Sequence, residues 1–80
     1  MYVLKCDAIR QAIWDGLPQP ISEQLTRALA KACADPVGAT QPYGEDDGIM
    51  RTLVLPDVFA VIYLGHQTKT LHIYTIEYIS

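Results

Sequence analysis

The chain has 80 residues, 50% of them hydrophobic and 19% charged, which leaves room for one hydrophobic core and is too apolar for a disordered segment. A formal net charge of −3 argues against long-range attraction to phosphate backbones. No apolar run approaches the roughly 20 residues that span a bilayer, and Met1 to Asp7 carry neither the basic stretch nor the apolar core of a secretory leader, so the expectation is one cytoplasmic domain with no membrane role.

Tyr2 to Cys6 reads as a short apolar strand. Asp7 is a suitable N-cap, and Ile9, Ala12, Ile13 and Gly16 recur at helical steps, which predicts a first helix over about Ala8 to Asp15 with that set facing inward. Gly16-Leu17-Pro18-Gln19-Pro20 breaks the helix, and so short a break returns the next one antiparallel. The second helix carries the clearest pattern in the chain. Ile21, Leu25, Ala28, Leu29, Ala32 and Cys33 form an apolar stripe opposite Ser22, Glu23, Thr26, Arg27 and Lys31, and Pro36 ends it. Val37 to Gly48 contains Gly38, Pro42, Gly44 and the acidic run Glu45-Asp46-Asp47, a composition that predicts a long loop. Three strands follow, over about Met50 to Leu55, Val58 to Leu64 and Thr70 to Ile79, joined by two turns of hairpin length. The predicted class is α+β in the order β-α-α-β-β-β: a helical hairpin on one face of an antiparallel sheet, the other face partly open.

Several features exclude chemistry or leave it open. Cys6 and Cys33 sit in apolar surroundings and read as two free thiols, with no CxxC or Cys/His spacing for zinc, and no cofactor motif is present. The run Glu45 to Asp47 lacks the alternating spacing of a calcium loop and reads as a solvated turn. Trp14 lies off the Ile9/Ile13 stripe and reads as a core or interface anchor. His66 falls in a turn. His72, Tyr74 and Tyr78 alternate along the last strand and would share a face, with Glu77 on the opposite one.

The succession of a strand, a helix, Gly16-Leu17-Pro18, a longer helix from Leu29 to Pro36 at its end, then Gly48-Ile49-Met50-Arg51, Phe59-Ala60-Val61-Ile62-Tyr63 and Leu71 to Ile76 resembles the RelE/ParE superfamily of toxin–antitoxin toxins, and covers residues 1–80 as one RelE/ParE-like domain. The resemblance implies a cognate antitoxin as partner. For the RelE branch it implies metal-free cleavage of messenger RNA at the ribosome, and for the ParE branch a block of DNA gyrase. Arg51 matches the family arginine that opens the second strand and often faces the scissile phosphate, while Tyr63 matches a mainly structural tyrosine. Ala60 stands where RNA-cleaving members usually have a second arginine, acidic residues stand at 45–47 where they often have lysines, and the chain ends at Ser80, before the usual family tail.

Metal-free RNA cleavage requires a base, an acid and cations around the phosphate. Arg51 offers a bidentate phosphate clamp, His72 an imidazole able to give or take a proton, and Tyr78 an aromatic hydroxyl; these three are the candidate catalytic residues. Each has a plainer role: Arg51 as a strand arginine, His72 as a packed ring, Tyr74 and Tyr78 as cover for the core or for a homodimer surface. Three functional readings therefore stand: a toxin acting on ribosome-bound mRNA, a ParE-like gyrase inhibitor, and a non-catalytic protein-binding module descended from such a toxin.

Overall fold

The fold is drawn from a computed structural model that describes residues 1–45 and 47–79. Asp46, the middle of the acidic run, and the terminal Ser80 lie outside the described residues. Strand β1 (Val3–Lys5) leads into helices α1 (Ala8–Asp15) and α2 (Gln19–Ala34), followed by β2 (Gln41–Pro42), β3 (Met50–Val54), β4 (Val58–Gly65) and β5 (Thr70–Tyr78). The strands form one sheet in the order β1-β5-β4-β3-β2. The three long strands are the antiparallel meander expected from their composition; β1 joins its far edge parallel to β5, making the sheet mixed.

The helix boundaries follow from their caps. Asp7 Oδ1 accepts from the Arg10 amide at 2.8 Å at the start of α1, and the Gly16 amide closes its end on the Ala12 carbonyl at 3.0 Å. Pro20 does not break the second helix but sits in its first turn, where a missing N–H costs nothing. The expected stripe of α2 is buried: Ile21, Leu25, Leu29, Ala32 and Cys33 face the sheet, and Leu25 and Leu29 are among the largest fully buried side chains. Each such leucine contributes about 1.5–3 kcal/mol relative to an exposed one. They meet Leu53, Val58, Ala60, Ile62, Leu64, Leu71, Ile73 and Ile76 from the strands.

Helix α1 reverses the expected orientation. None of its residues is buried, and Ile9 and Ile13 are 67% and 41% exposed. Its inward residues are Arg10, whose Nε donates to the Tyr74 carbonyl at 2.8 Å, and Trp14, which packs on the core beside the following Leu17. Arg10, Trp14 and Leu17 are spaced four and three apart and form a face of their own. Trp14 is the residue of α1 that packs against the core, and its aromatic bulk buries more apolar area there than either isoleucine would. Trp14 is thus a core residue.

One irregularity in the sheet decides where the site residues point. Along β4 the partners on β5 run Tyr63↔His72 and Ile62↔Ile73, then jump to Val61↔Thr75, leaving Tyr74 as an extra residue in a bulge. Beyond it the facing of β5 is reset by one.

Candidate functional site

The sheet has one face under the helices and one face open, and alternation along β4 sorts the residues between them. Ala60, Ile62 and Leu64 belong to the core, so Phe59, Val61 and Tyr63 point to the open face. Register then carries the neighbours along. Lys5 lies beside His72 on β5, and His72 beside Tyr63 on β4, so the three form one row across the open face. The His72 and Tyr63 rings are stacked, 4.6 Å between centroids and 4° from parallel. His72 Nε2 is 3.1 Å from Thr70 Oγ1. At the β1 end of the row lies a depression of about 310 Å³, lined by Lys5, Cys6, Asp7, Tyr63, His72 and Ile73. Burial, reinforced by the Asp7 carboxylate, pushes the Cys6 thiol above its ordinary 9.0, so it is a neutral wall and not a nucleophile at neutral pH.

This row brings together an ammonium, an imidazole and a flat aromatic pair. Lys5 supplies a point charge for an anion, His72 a proton donor or acceptor, and the stacked rings a face on which a base can lie. Sequence reasoning singled out His72 but passed over Lys5, and assigned Tyr63 to structure; the missing signal was the parallel pairing of the first strand with the last, which no local pattern announces. Among the described residues no cluster of three or more His, Cys, Asp or Glu side chains could hold a metal ion.

The other candidates do not join the row. Arg51 is only 4% exposed and sits in the row Arg51–Ile62–Ile73, on the helix side of the sheet. Its Nε donates to Thr40 Oγ1 at 2.9 Å, and its Nη2 donates to the Val37 and Thr40 carbonyls at 3.0 and 2.9 Å. A phosphate clamp needs its fork turned to solvent; here the fork binds the loop after α2 and stitches it to β3. Tyr78 pairs with Val58, whose side chain is in the core, so the reset places Tyr78 on the helix side of the sheet at its rim, not on the face of His72. Glu77 pairs with Phe59 and so shares the face of His72, the reverse of a strict two-residue alternation, though it lies two rows away. Tyr74, in the bulge, is 54% exposed.

His66 is a strut. The Gly48 carbonyl can only accept, so His66 Nε2 donates to it at 2.6 Å, and in the neutral ring Nδ1 accepts from the Tyr2 hydroxyl at 2.6 Å. Asp47 also has a local role: its Oδ1 accepts from the Ile49 and Met50 amides at 2.9 and 3.1 Å, and these bonds hold its carboxyl below the ordinary value of 3.8. Cys33 is buried and free, as is the half-buried Cys6.

No family model and no curated protein matches the sequence. Solved structures do match in fold. The isolated E. coli RelE toxin superposes with a TM-score of 0.83 at 18% identity, covering 100% of this chain and 86% of that one. A chain of the intact E. coli RelBE toxin–antitoxin complex gives 0.82 at 18%, covering 100% of this chain and 99% of that one. The RelBE2 toxin–antitoxin complex of Mycobacterium tuberculosis gives 0.80 at 12%, covering 96% of each chain. The RelE-like fold implied by the sequence motifs is therefore the fold of this chain. Among the described residues no helix is long and apolar enough to cross a membrane.

Proposed function

We propose that this chain is the toxin of a type II toxin–antitoxin module and that it inhibits translation by cleaving messenger RNA at the ribosome in the cytoplasm. The observation that carries the reading is the superposition over the whole chain on RelE toxins, both free and within toxin–antitoxin complexes. The partner that follows is a cognate antitoxin, with the ribosome and its message as the target. In this reading the open face holds the RNA. Lys5 attracts the phosphate, His72 exchanges the proton, and the Tyr63–His72 stack supports a base. Arg51 serves by positioning, since it holds the loop that borders β3, and Tyr78 is peripheral.

Inducing the chain alone in a bacterial host, followed by primer extension on abundant messages, tests this. The expected result is growth arrest with discrete new 5′ ends, both reduced by His72→Ala and by Lys5→Ala. Arrest without new ends would replace the nuclease with a block of another target such as gyrase. Unimpaired growth at verified expression would leave only the non-catalytic reading. That second reading has its own support: a net charge of −3 and an open face on which Lys5 is the cation of the central row. It predicts a tight complex with a neighbouring gene product and no toxicity.

A further inference from the structure

The opposite edge of the molecule carries a second feature. A cleft of about 410 Å³ opens between α2 and β3, where the chain leading into β2 peels away from its neighbour. Gln24, Arg27, Ala28 and Lys31 of α2 form one wall, and Thr52 to Val54 of β3 with the following Leu55 the other. Among the described residues no carboxylate lines it. The only ion pair among the described residues is Arg10–Asp7, so Arg27 and Lys31 face the cleft without an acidic partner, in a protein whose net charge is −3.

The β3 wall is a strand edge. The Leu55 amide donates to Val58 and the Ile49 carbonyl accepts from Leu64, so the odd-numbered residues of β3 bond to β4 and the even-numbered ones point outward. Of those, Met50 accepts from the Tyr43 amide and Thr52 pairs with Gln41. The pairing with β2 stops there. Val54, 59% exposed, is left with its outward N–H and C=O unmatched among the described residues. An edge of this kind is a template for an added strand, and its neighbours are commonly charged to restrict what may add.

We propose that this cleft receives an extended acidic segment of another protein, which adds to β3 at Val54 and sets its carboxylates against Arg27 and Lys31. The main-chain groups of Val54 fix the strand direction and register. Side chains on one face of the segment then turn toward α2, where the two cations, one helical turn apart, select acidic residues over basic ones. Ala28 and Leu55 give the intervening side chain an apolar seat. The inference does not depend on the toxin reading, because it rests on the edge and the charges alone.

The test uses the purified full chain, 15N-labelled, and two short acetylated peptides, one alternating glutamate with valine and one alternating lysine with valine. Amide spectra are followed up to millimolar peptide. The glutamate peptide is expected to shift the amides of Ala39, Thr52, Val54 and Leu55 and the lysine peptide to shift none of them. Arg27→Glu with Lys31→Glu should weaken the interaction about tenfold, as expected for the loss of two exposed ion pairs. Val54→Pro, which removes the outward N–H at an exposed edge position, should weaken it as well while leaving the circular dichroism unchanged. Equal response to the two peptides, no response at millimolar glutamate peptide, or full affinity in both variants would overturn the proposal.

Discussion

Replacing Arg51 by methionine separates a positioning role from a phosphate-binding one. The substitution keeps most of the aliphatic stem and removes the guanidinium, so the Thr40 hydroxyl, the Thr40 carbonyl and the Val37 carbonyl each lose a charged donor. Thr40 is itself 9% exposed, and water does not simply replace what is lost there. Hydrogen bonds to charged groups are each worth about 1.5–3 kcal/mol, and acceptors abandoned in the interior add their desolvation, so a net loss of about 2–4 kcal/mol is expected after relaxation of the loop. A domain of this length has about 4–12 kcal/mol to lose, and the melting temperature should fall by about 10–30 °C. Arg51→Lys keeps a charge but not the planar fork that reaches two carbonyls, and should fall between. Urea unfolding followed by circular dichroism gives the comparison at constant slope. A methionine variant within about 0.5 kcal/mol of the parent would refute the assignment and return Arg51 to the role of a solvent-facing clamp, since loss of a surface arginine is normally worth no more than that.

Helix α1 predicts a contrast: Ile9→Ser, at an exposed position, should change stability by no more than about 0.5 kcal/mol, whereas Leu29→Ala, at 1% exposure, should cost about 2–5 kcal/mol. Urea melts that ranked the two in the opposite order would mean that the isoleucine face packs inward after all. Asp47 predicts a pH effect. Its carboxyl is held down by the Ile49 and Met50 amides, so the folded value lies below the unfolded 3.8, and its contribution is present above that pH and lost as pH falls through the folded value. Asp47→Asn should remove this acid-dependent component, read as a flatter stability profile below pH 4, and an unchanged profile would assign acid sensitivity to other carboxylates.

The elements that sequence reading placed well are those whose burial is one-sided or two-sided in a regular way. The α2 stripe and the β-branched runs of β3 to β5 are such cases: their periodicity comes from the same contacts that hold them. Helix α1 misled because two apolar faces compete on eight residues, and the winning one includes an arginine, Arg10, which a hydrophobicity pattern scores as solvent-facing. The pairing of β2 had no local signal, since neither Gln41 nor Pro42 favours a strand; it forms because β3 offers an edge and Arg51 draws the preceding loop alongside. Two signals were present and unread. Leu53 is inward, so the two-residue period already sends Arg51 to the same side. Buried Leu71, Ile73 and Ile76 are spaced two and then three apart, a step that marks the bulge at Tyr74 and moves Tyr78 away from His72.

The same sorting of faces changes what Ala60 means. In the motif that resembles the toxin family, alanine at this position stands in place of an arginine, which by itself suggests a lost phosphate contact. Here Ala60 is fully buried between Leu53 and Ile76, on the side of the sheet covered by the helices. An arginine in its place would bring a charge into the centre of the core, at a cost that no open-face contact could repay. The residue that occupies the open face one step away is Val61, which is 2% exposed and floors the row between Thr52 and Thr75. The cation that shares the open-face row of His72 and Tyr63 is Lys5, which stands on the edge strand β1. The absence of arginine at residue 60 therefore reports on how this core is packed and not on whether the face beyond it can do chemistry.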